Sequence, residues 1–316
     1  MATTEVTWEA FEEQVERTPL TPAQLAWRRF RRHRMAMVGV ALLAGVFLFV
    51  TVGAFFFSEA DANHTDLSLK LQPPSRAHIF GTDLTGRDVL ARTIYGGQIS
   101  IIIGILAVIV ALFAGVAVGA VSGYYGGIAD ALLMRLTEAM LTIPSIFLLI
   151  VLSKILGGKI PTFDLLGRSF SGSVVVIIGV IGVTSWMYLA RVVRVSFLSL
   201  KEQEFVTASR CTGTRDLLII LEHILPNTVA PITVAATLGV ASSILSEAYV
   251  SYLGLGVQPP TATWGNMLDQ AYSHLESEPW MWFFPGLFIV LTVLGINFVG
   301  DGLRDALDPR ALAEAD

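Results

Sequence analysis

Residues 199–227 read SLKEQEFVTASRCTGTRDLLIILEHILPN, a long polar interruption in the C-terminal half of a very apolar chain. The spacing predicts two short helices with a hinge. Ser199 and Glu202 have capping-box spacing, which lets the serine cap the first helix while the glutamate reaches back to the serine N–H. Gly213 is expected to stop that helix, because a left-handed residue is cheapest without a Cβ. Thr214 is placed to cap the second helix, with Asp216 in its first turn, where the helix dipole favours a carboxylate. Pro226 is expected to end it. On the first helix Phe205, Ala208, Ser209 and Thr212 share one face by the 3.6-residue period. One large apolar anchor among three small neighbours lets a partner surface approach closely. A solvated loop with two frayed helices accounts for the same residues, and the spacing leaves both readings open.

On either side of this stretch the chain is apolar. It has 316 residues, 53% of them hydrophobic and 15% charged. A soluble domain carries about 25% charged residues. Several apolar runs have the length, about 20 residues, that a helix needs to cross a bilayer. The fold class expected is therefore all-α integral membrane, with six transmembrane helices. The first span is Met35–Phe57, 23 residues without a charge. It reads as a retained anchor, its apolar region being too long and its polar leader too extended for a cleaved signal. The second span is Ile99–Ser122 and the third runs from about Leu132 to Ser153, kinked at Pro144. Residues 154–172 read as a loop. The fourth is Val174–Ala190, the fifth about Val229–Tyr252 and the sixth Trp280–Gly300.

Residues 1–34 form an N-terminal segment. Trp8, Phe11 and Val15 mark a weak apolar stripe there. Thr21-Pro22 opens a helix that ends in Arg28, Arg29, Arg31, Arg32 and Arg34. Such a run just before an apolar span reads as a cytoplasmic anchor facing anionic lipid rather than as a nucleic-acid site. Residues 58–98 form an extracytoplasmic segment, with Asp83–Gly86 a turn, Thr85 a cap and Arg87–Tyr95 a short helix. Residues 99–303 form the core, with the polar stretch inside it, and 304–316 form a tail. Gly115, Gly119 and Gly123 leave one face of the second span as bare backbone, the mark of close helix packing in lipid. Placing both termini in the cytoplasm puts 14 of the 21 basic residues inside, as the positive-inside rule requires. Trp264, Trp280 and Trp282 then fall at the outer interface.

The chemistry that is missing narrows the function. Gly157-Gly158-Lys159 is the nearest approach to a phosphate loop, and Ile160-Pro161 follows it, so ATP binding by this chain is not expected. No HExxH, no GxSxG and no paired carboxylates occur, and an enzyme is not expected. The single cysteine, Cys211, excludes an internal disulfide, and the five histidines show no ligand pair, so no metal site is expected. Within spans the ionisable residues are Glu138 and Glu247. Such groups usually face an interior or a water-filled path. Glu138, near the membrane edge, reads as structural. Glu247 reads either as a wall of the translocation path or as a structural partner inside the bundle.

The polar stretch resembles the EAA signature of bacterial ABC-importer permeases, through Glu204, Ala208, Gly213 and Leu225-Pro226. Ser209 departs from it, standing where the family usually has a second alanine. HIFGTDLTGRDVLARTIYGG, residues 78–97, is similar to a block of the dipeptide/oligopeptide branch of these permeases. GYYGG at 123–127, the Pro144 region, LGLGVQPPTATWGNML at 253–268 and GDGLRDALDP at 300–309 extend the likeness over nearly the whole chain after residue 25. The resemblance implies the type I importer fold and a C-type permease subunit in a bacterial or archaeal inner membrane. Glu204, Phe205, Ala208, Ser209, Thr212 and Gly213 would then dock on an ATPase. It further implies a homologous permease partner, two ATPase subunits carrying ATP and Mg, and an extracytoplasmic binding protein. Close relatives in the family carry nickel, glutathione or other small solutes. A secondary transporter or channel and a purely structural subunit remain rival classes.

Overall fold

The computed structural model describes residues 21–165 and 168–308, with the side chains of Pro22 and Leu165 left aside. The apolar stripe of Trp8, Phe11 and Val15 and the end of the tail lie outside these residues. Helix α1 (Pro22–Arg32) starts as its sequence dictates: Thr21 accepts from the Gln24 N–H and Gln24 returns a bond to the Thr21 N–H. His33 breaks the chain and caps α2 (Arg34–Phe56), the first span. A five-residue helix, α3 (Glu59–Asn63), follows.

Helix α4 (Val89–Tyr125) runs for 37 residues. The short helix expected at Arg87–Tyr95 and the second span are one continuous rod. Its cap is Asp88, which accepts from the Ala91 N–H. Thr85, expected as the cap, donates its hydroxyl to Asp83 instead. Asp83 takes its N–H, the Arg87 N–H and the Arg87 guanidinium as well. That carboxylate organises the turn so completely that the helix starts only after it.

Gly126 and Gly127, both at positive φ, turn the chain into α5 (Gly127–Thr142). The third span does more than kink at Pro144: α5 and α6 (Ser145–Leu156) meet at 85°. Proline bars the residue before it from the helical region, and Ile143 is accordingly extended at φ −82°, ψ 121°. The expected loop at 154–172 contains a small hairpin, β1 (Phe163–Leu165) against β2 (Arg168–Phe170), antiparallel with Phe163 opposite Phe170. Arg168 ties it to α3 and α4 through Glu59 and Gln98.

Helix α7 (Ser173–Leu200) outruns its expected end at Ala190 and swallows Ser199, which therefore caps nothing. After α8 (Glu204–Cys211), the chain re-enters through a single turn, α9 (Asp216–Leu218), whose N-cap position is Arg215 rather than Thr214 and carries no side-chain cap. A π turn (Ile219–Ile224) and a 3₁₀ turn (Leu225–Thr228) lead into α10 (Val229–Tyr252). Pro226 does not end the helix: the irregular turns absorb its missing N–H, and residues 216–252 form one span. The expected loop 253–279 holds α11 (Trp264–Ala271), opened by a Thr263–Asn266 capping box. Trp264 is not at the interface but wholly buried, its ring N–H donating to the Thr93 carbonyl. Helix α12 (Trp280–Ala306) closes the described chain.

Among the described residues five helices are long and apolar enough to span a membrane, six if α5 and α6 count as one. The α4–α7 pair is the spine. A Cβ on Gly115 would lie 2.9 Å from the Trp186 carbonyl oxygen, on Gly119 2.5 Å from that of Ala190, and on Gly123 2.8 Å from that of Arg194. The two backbones meet along that glycine row. Helices α2 and α10 pack against α12, and α6 against the N-terminal half of α7.

Candidate docking helix and membrane cavity

Helix α8 sits at the end of the spine where α7 finishes, because the chain has nowhere else to go. Helix α7 ends at Leu200, the Gln203 N–H bonds back to the Leu200 carbonyl, and α8 starts at once. Its far end closes on Gly213 at φ 78°, with the Gly213 N–H on the Arg210 carbonyl and the Thr214 N–H on that of Ser209. This pair of bonds is a Schellman stop, and a left-handed glycine makes it inexpensive.

Val206, fully buried, anchors α8 in a core of Tyr124, Phe197, Ile219 and Ile224. It points about 160° away from Ala208. The other side therefore faces outward: Phe205, Ala208 and Thr212 are exposed and Ser209 half-buried. Glu204 is exposed in the first turn and Gly213 lies open beyond the last. Polar contacts hold the orientation. The Tyr124 hydroxyl donates to Asp216, 2.7 Å, and the Arg210 guanidinium lies 5.3 Å from the Tyr124 ring centre. Close by, Arg194 grips Asp130 through Nε and Nη2 at 2.5 and 2.6 Å, and Ser122 donates to the same carboxylate. Bidentate pairs of this kind fix geometry as well as charge. Sequence reasoning missed Val206, Tyr124 and Arg210. Val206 was findable, as the branched aliphatic residue opposite Ala208. The contacts of Tyr124, some 90 positions from Asp216, had no local signal.

A second feature lies within the membrane. A cavity of about 530 Å³ opens where the α5–α6 break meets α7 and α10. Ser145, Thr184, Ser185, Tyr188, Ser242, Ser243 and Ser246 bring hydroxyls to an otherwise apolar wall, and no charged residue lines it. The cavity exists because α5 and α6 diverge at Pro144 and leave the flanks of α7 and α10 uncovered. Glu247 is not on that wall. It is completely buried against α4, bonded to Ser100 and Ser251. Glu138 is exposed and near Arg135. The sequence clue to the cavity was the spacing of Gly239, Ser242 and Ser246 on one face of the fifth span. Among the described residues no three His, Cys, Asp or Glu side chains could share a metal ion. The single thiol, Cys211, is exposed at the end of α8.

At the start of α4, the block around Asp83 is closed and charge-balanced. Burial pushes the Asp83 carboxyl up, but Arg87 and Arg92 and the N–H donors of Arg87 and Thr85 outweigh it, so its pKa lies below the usual carboxylate range. Arg87 continues to Gln270 on α11, 2.9 Å, tying residues 83–92 to the segment before α12.

The sequence model of the family described as "Binding-protein-dependent transport system inner membrane component" matches residues 115–312. That of the "N-terminal TM domain of oligopeptide transport permease C" matches residues 21–74. The chain is 39% identical over 298 residues to the oligopeptide transport system permease protein OppC of Bacillus subtilis, covering 94% of this chain and 93% of that protein. It is 38% identical over 293 residues to the dipeptide transport system permease protein DppC of Alkalihalophilus pseudofirmus, covering 93% and 91%. A putative peptide permease protein of Brucella suis is 43% identical over 292 residues, covering 92% of each. Among solved structures, an inward-facing MetNI methionine ABC transporter chain superimposes with a TM-score of 0.52 at 20% identity, over 69% of this chain and 96% of that one. That likeness concerns the fold.

Proposed function

We propose a function from the premise that this chain belongs to the family of binding-protein-dependent transport system inner membrane components. It is a permease subunit of an ATP-driven importer, and its substrates are di- or oligopeptides, in keeping with the relatives that match it nearly end to end. It works with a homologous permease, two ATPase subunits that bind ATP and Mg, and an extracytoplasmic binding protein. It lies in the inner membrane with both termini in the cytoplasm.

The observation that carries this reading is the exposed small-residue face of α8, held to the membrane core by Val206 on its opposite side. A helix anchored in this way passes a push on Ala208 directly to Val206, Phe197 and Ile219, and so to α7 and the π turn. ATP closes the ATPase pair and moves α8. The permeases turn from inward-facing to outward-facing, accept peptide from the binding protein and release it inward. The equilibrium shifts because the ligands bind its two states differently. The hydroxyl-lined cavity forms part of the path. Serine and threonine offer both donors and acceptors to a peptide backbone, and without a fixed charge they do not select against acidic or basic side chains.

The test is Ala208→Trp. A bulky ring on the docking face should hold the ATPase off, abolishing peptide uptake while the protein still inserts and pairs. Normal uptake by this variant would show that the face is not the contact.

A further inference from the structure

Glu247 belongs neither to the docking helix nor to the cavity, yet the structure is built closely around it. Its Oε2 accepts from Ser100 Oγ on α4, 3.0 Å, and its Oε1 from Ser251 Oγ one turn along α10, 2.7 Å. Each serine is also an acceptor for the segment that follows α10. The Trp264 N–H donates to Ser100 Oγ at 3.2 Å and the Val257 N–H to Ser251 Oγ at 3.1 Å. A hydroxyl has one proton and two lone pairs. With the proton committed to Glu247, the lone pairs of each serine are aimed at those backbone N–H groups. One carboxylate thus sets two hydroxyls, and the two hydroxyls hold residues 257–264 on α4 and α10.

We infer that Glu247 is a positioning residue for transport: it keeps the outer parts of α4 and α10 and the segment through Trp264 locked as one block throughout the cycle, so that the rearrangement falls on the inner half. The physical reason is the isolation of the carboxyl group. Glu247 has no ion-pair partner among the described residues and no contact with water, so its hydroxyl donors are all that replaces hydration. Stripping a hydrogen-bond partner from a buried polar group leaves it unsatisfied and costs its full desolvation penalty. A cycle that parted α4 from α10 here would meet that penalty at every turn; one that moves the block as a body does not. The inner half is built differently. The helical ladder is already interrupted at the π and 3₁₀ turns of Ile219–Thr228 and at the 85° break after Thr142. Irregular turns of this kind are where helices bend.

The inference rests on the importer reading above, and its test uses the whole importer, this chain with its partner subunits, in a Cys211→Ser background. Spin labels at Ile102→Cys and Asp269→Cys, both exposed, report on the outer block. Labels at Asp269→Cys and Leu217→Cys report across the irregular turns. Between the nucleotide-free and ATP-trapped states the first distance should stay constant and the second should shift. Glu247→Gln places an amide donor where both serines donate, so one serine must turn and release its N–H. In that variant the first distance distribution should broaden and the peptide taken up per ATP hydrolysed should fall several-fold, a ratio that loss of folded protein alone does not change. A first distance that shifts as far as the second in a transporting wild-type importer overturns the inference, as does an unchanged uptake-to-ATP ratio in Glu247→Gln. The wild-type distances decide the matter even if the variant fails to assemble. No ATP-driven uptake by the wild-type assembly would instead sink the importer reading.

Discussion

Replacing Gly119 with alanine adds one methyl group to the α4–α7 spine, and the structure says where it goes. The new Cβ would lie 2.5 Å from the Ala190 carbonyl oxygen and 2.7 Å from the Val193 Cβ. A carbonyl oxygen cannot rotate away as a side chain can, and Ala190 and Val193 are fully buried. Since a carbon rests about 3.3–3.6 Å from a carbonyl oxygen, the helices must part by roughly 1 Å. Overpacking of this kind typically costs about 1–3 kcal/mol. Against it stands the better helix propensity of alanine, up to about 1 kcal/mol. Gly179 on α7 separates the two effects, because a Cβ there meets nothing within 4 Å. Gly179→Ala keeps the propensity gain without the clash, so the difference between the variants isolates the packing cost. At roughly 2–4 °C per kcal/mol, Gly119→Ala should melt about 2–12 °C below Gly179→Ala. Thermal unfolding of the detergent-extracted proteins measures this directly. Equal melting temperatures, or a higher one for Gly119→Ala, would refute the close approach of α4 and α7 at this point.

The exposed Cys211 thiol should react with a membrane-impermeant reagent in inverted vesicles and not in intact cells, and more slowly with ATPase bound; labelling of intact cells would reverse the orientation proposed above. Asp83 predicts a pH dependence. Its folded pKa lies below the ordinary carboxyl range, so its contribution is fully present above the unfolded pKa and is lost as pH falls through the folded one. Wild type should therefore melt well above Asp83→Asn at pH 7, where the variant leaves Arg87 and Arg92 buried without their carboxylate, and the gap should close below about pH 4; a gap that widens on acidification would contradict the assignment.

Much of this fold is written in local physics. Apolar runs fall where α2, α4, α7, α10 and α12 cross, because a bilayer demands about 20 apolar residues wherever a helix passes. Thr21-Pro22 opens α1 and Gly213 closes α8 because caps and stops depend on a few neighbouring backbone groups. The glycine row at 115, 119 and 123 declared a face without side chains, but only the fold named α7 as the helix that meets it.

Local rules failed where a distant group competed for the same atoms. Thr85 had the chemistry of a cap, but the Asp83 carboxylate captured its hydroxyl and left Asp88 to do the capping. Ser199 had capping-box spacing, but an already formed α7 continued through it, since extending a helix is easier than starting one. Pro226 reads as a terminator only if the ladder around it is regular, and a π turn is not. Trp264 reads as an interfacial ring until α4 presents the Thr93 carbonyl to its N–H. Glu247 shows the limit most sharply. The sequence could say that a carboxylate in a span must face water or a partner, because hydration lost in hydrocarbon has to be replaced. Which of the two it faces depends on Ser100, 147 residues away, and only the packing of α4 against α10 brings that hydroxyl to it.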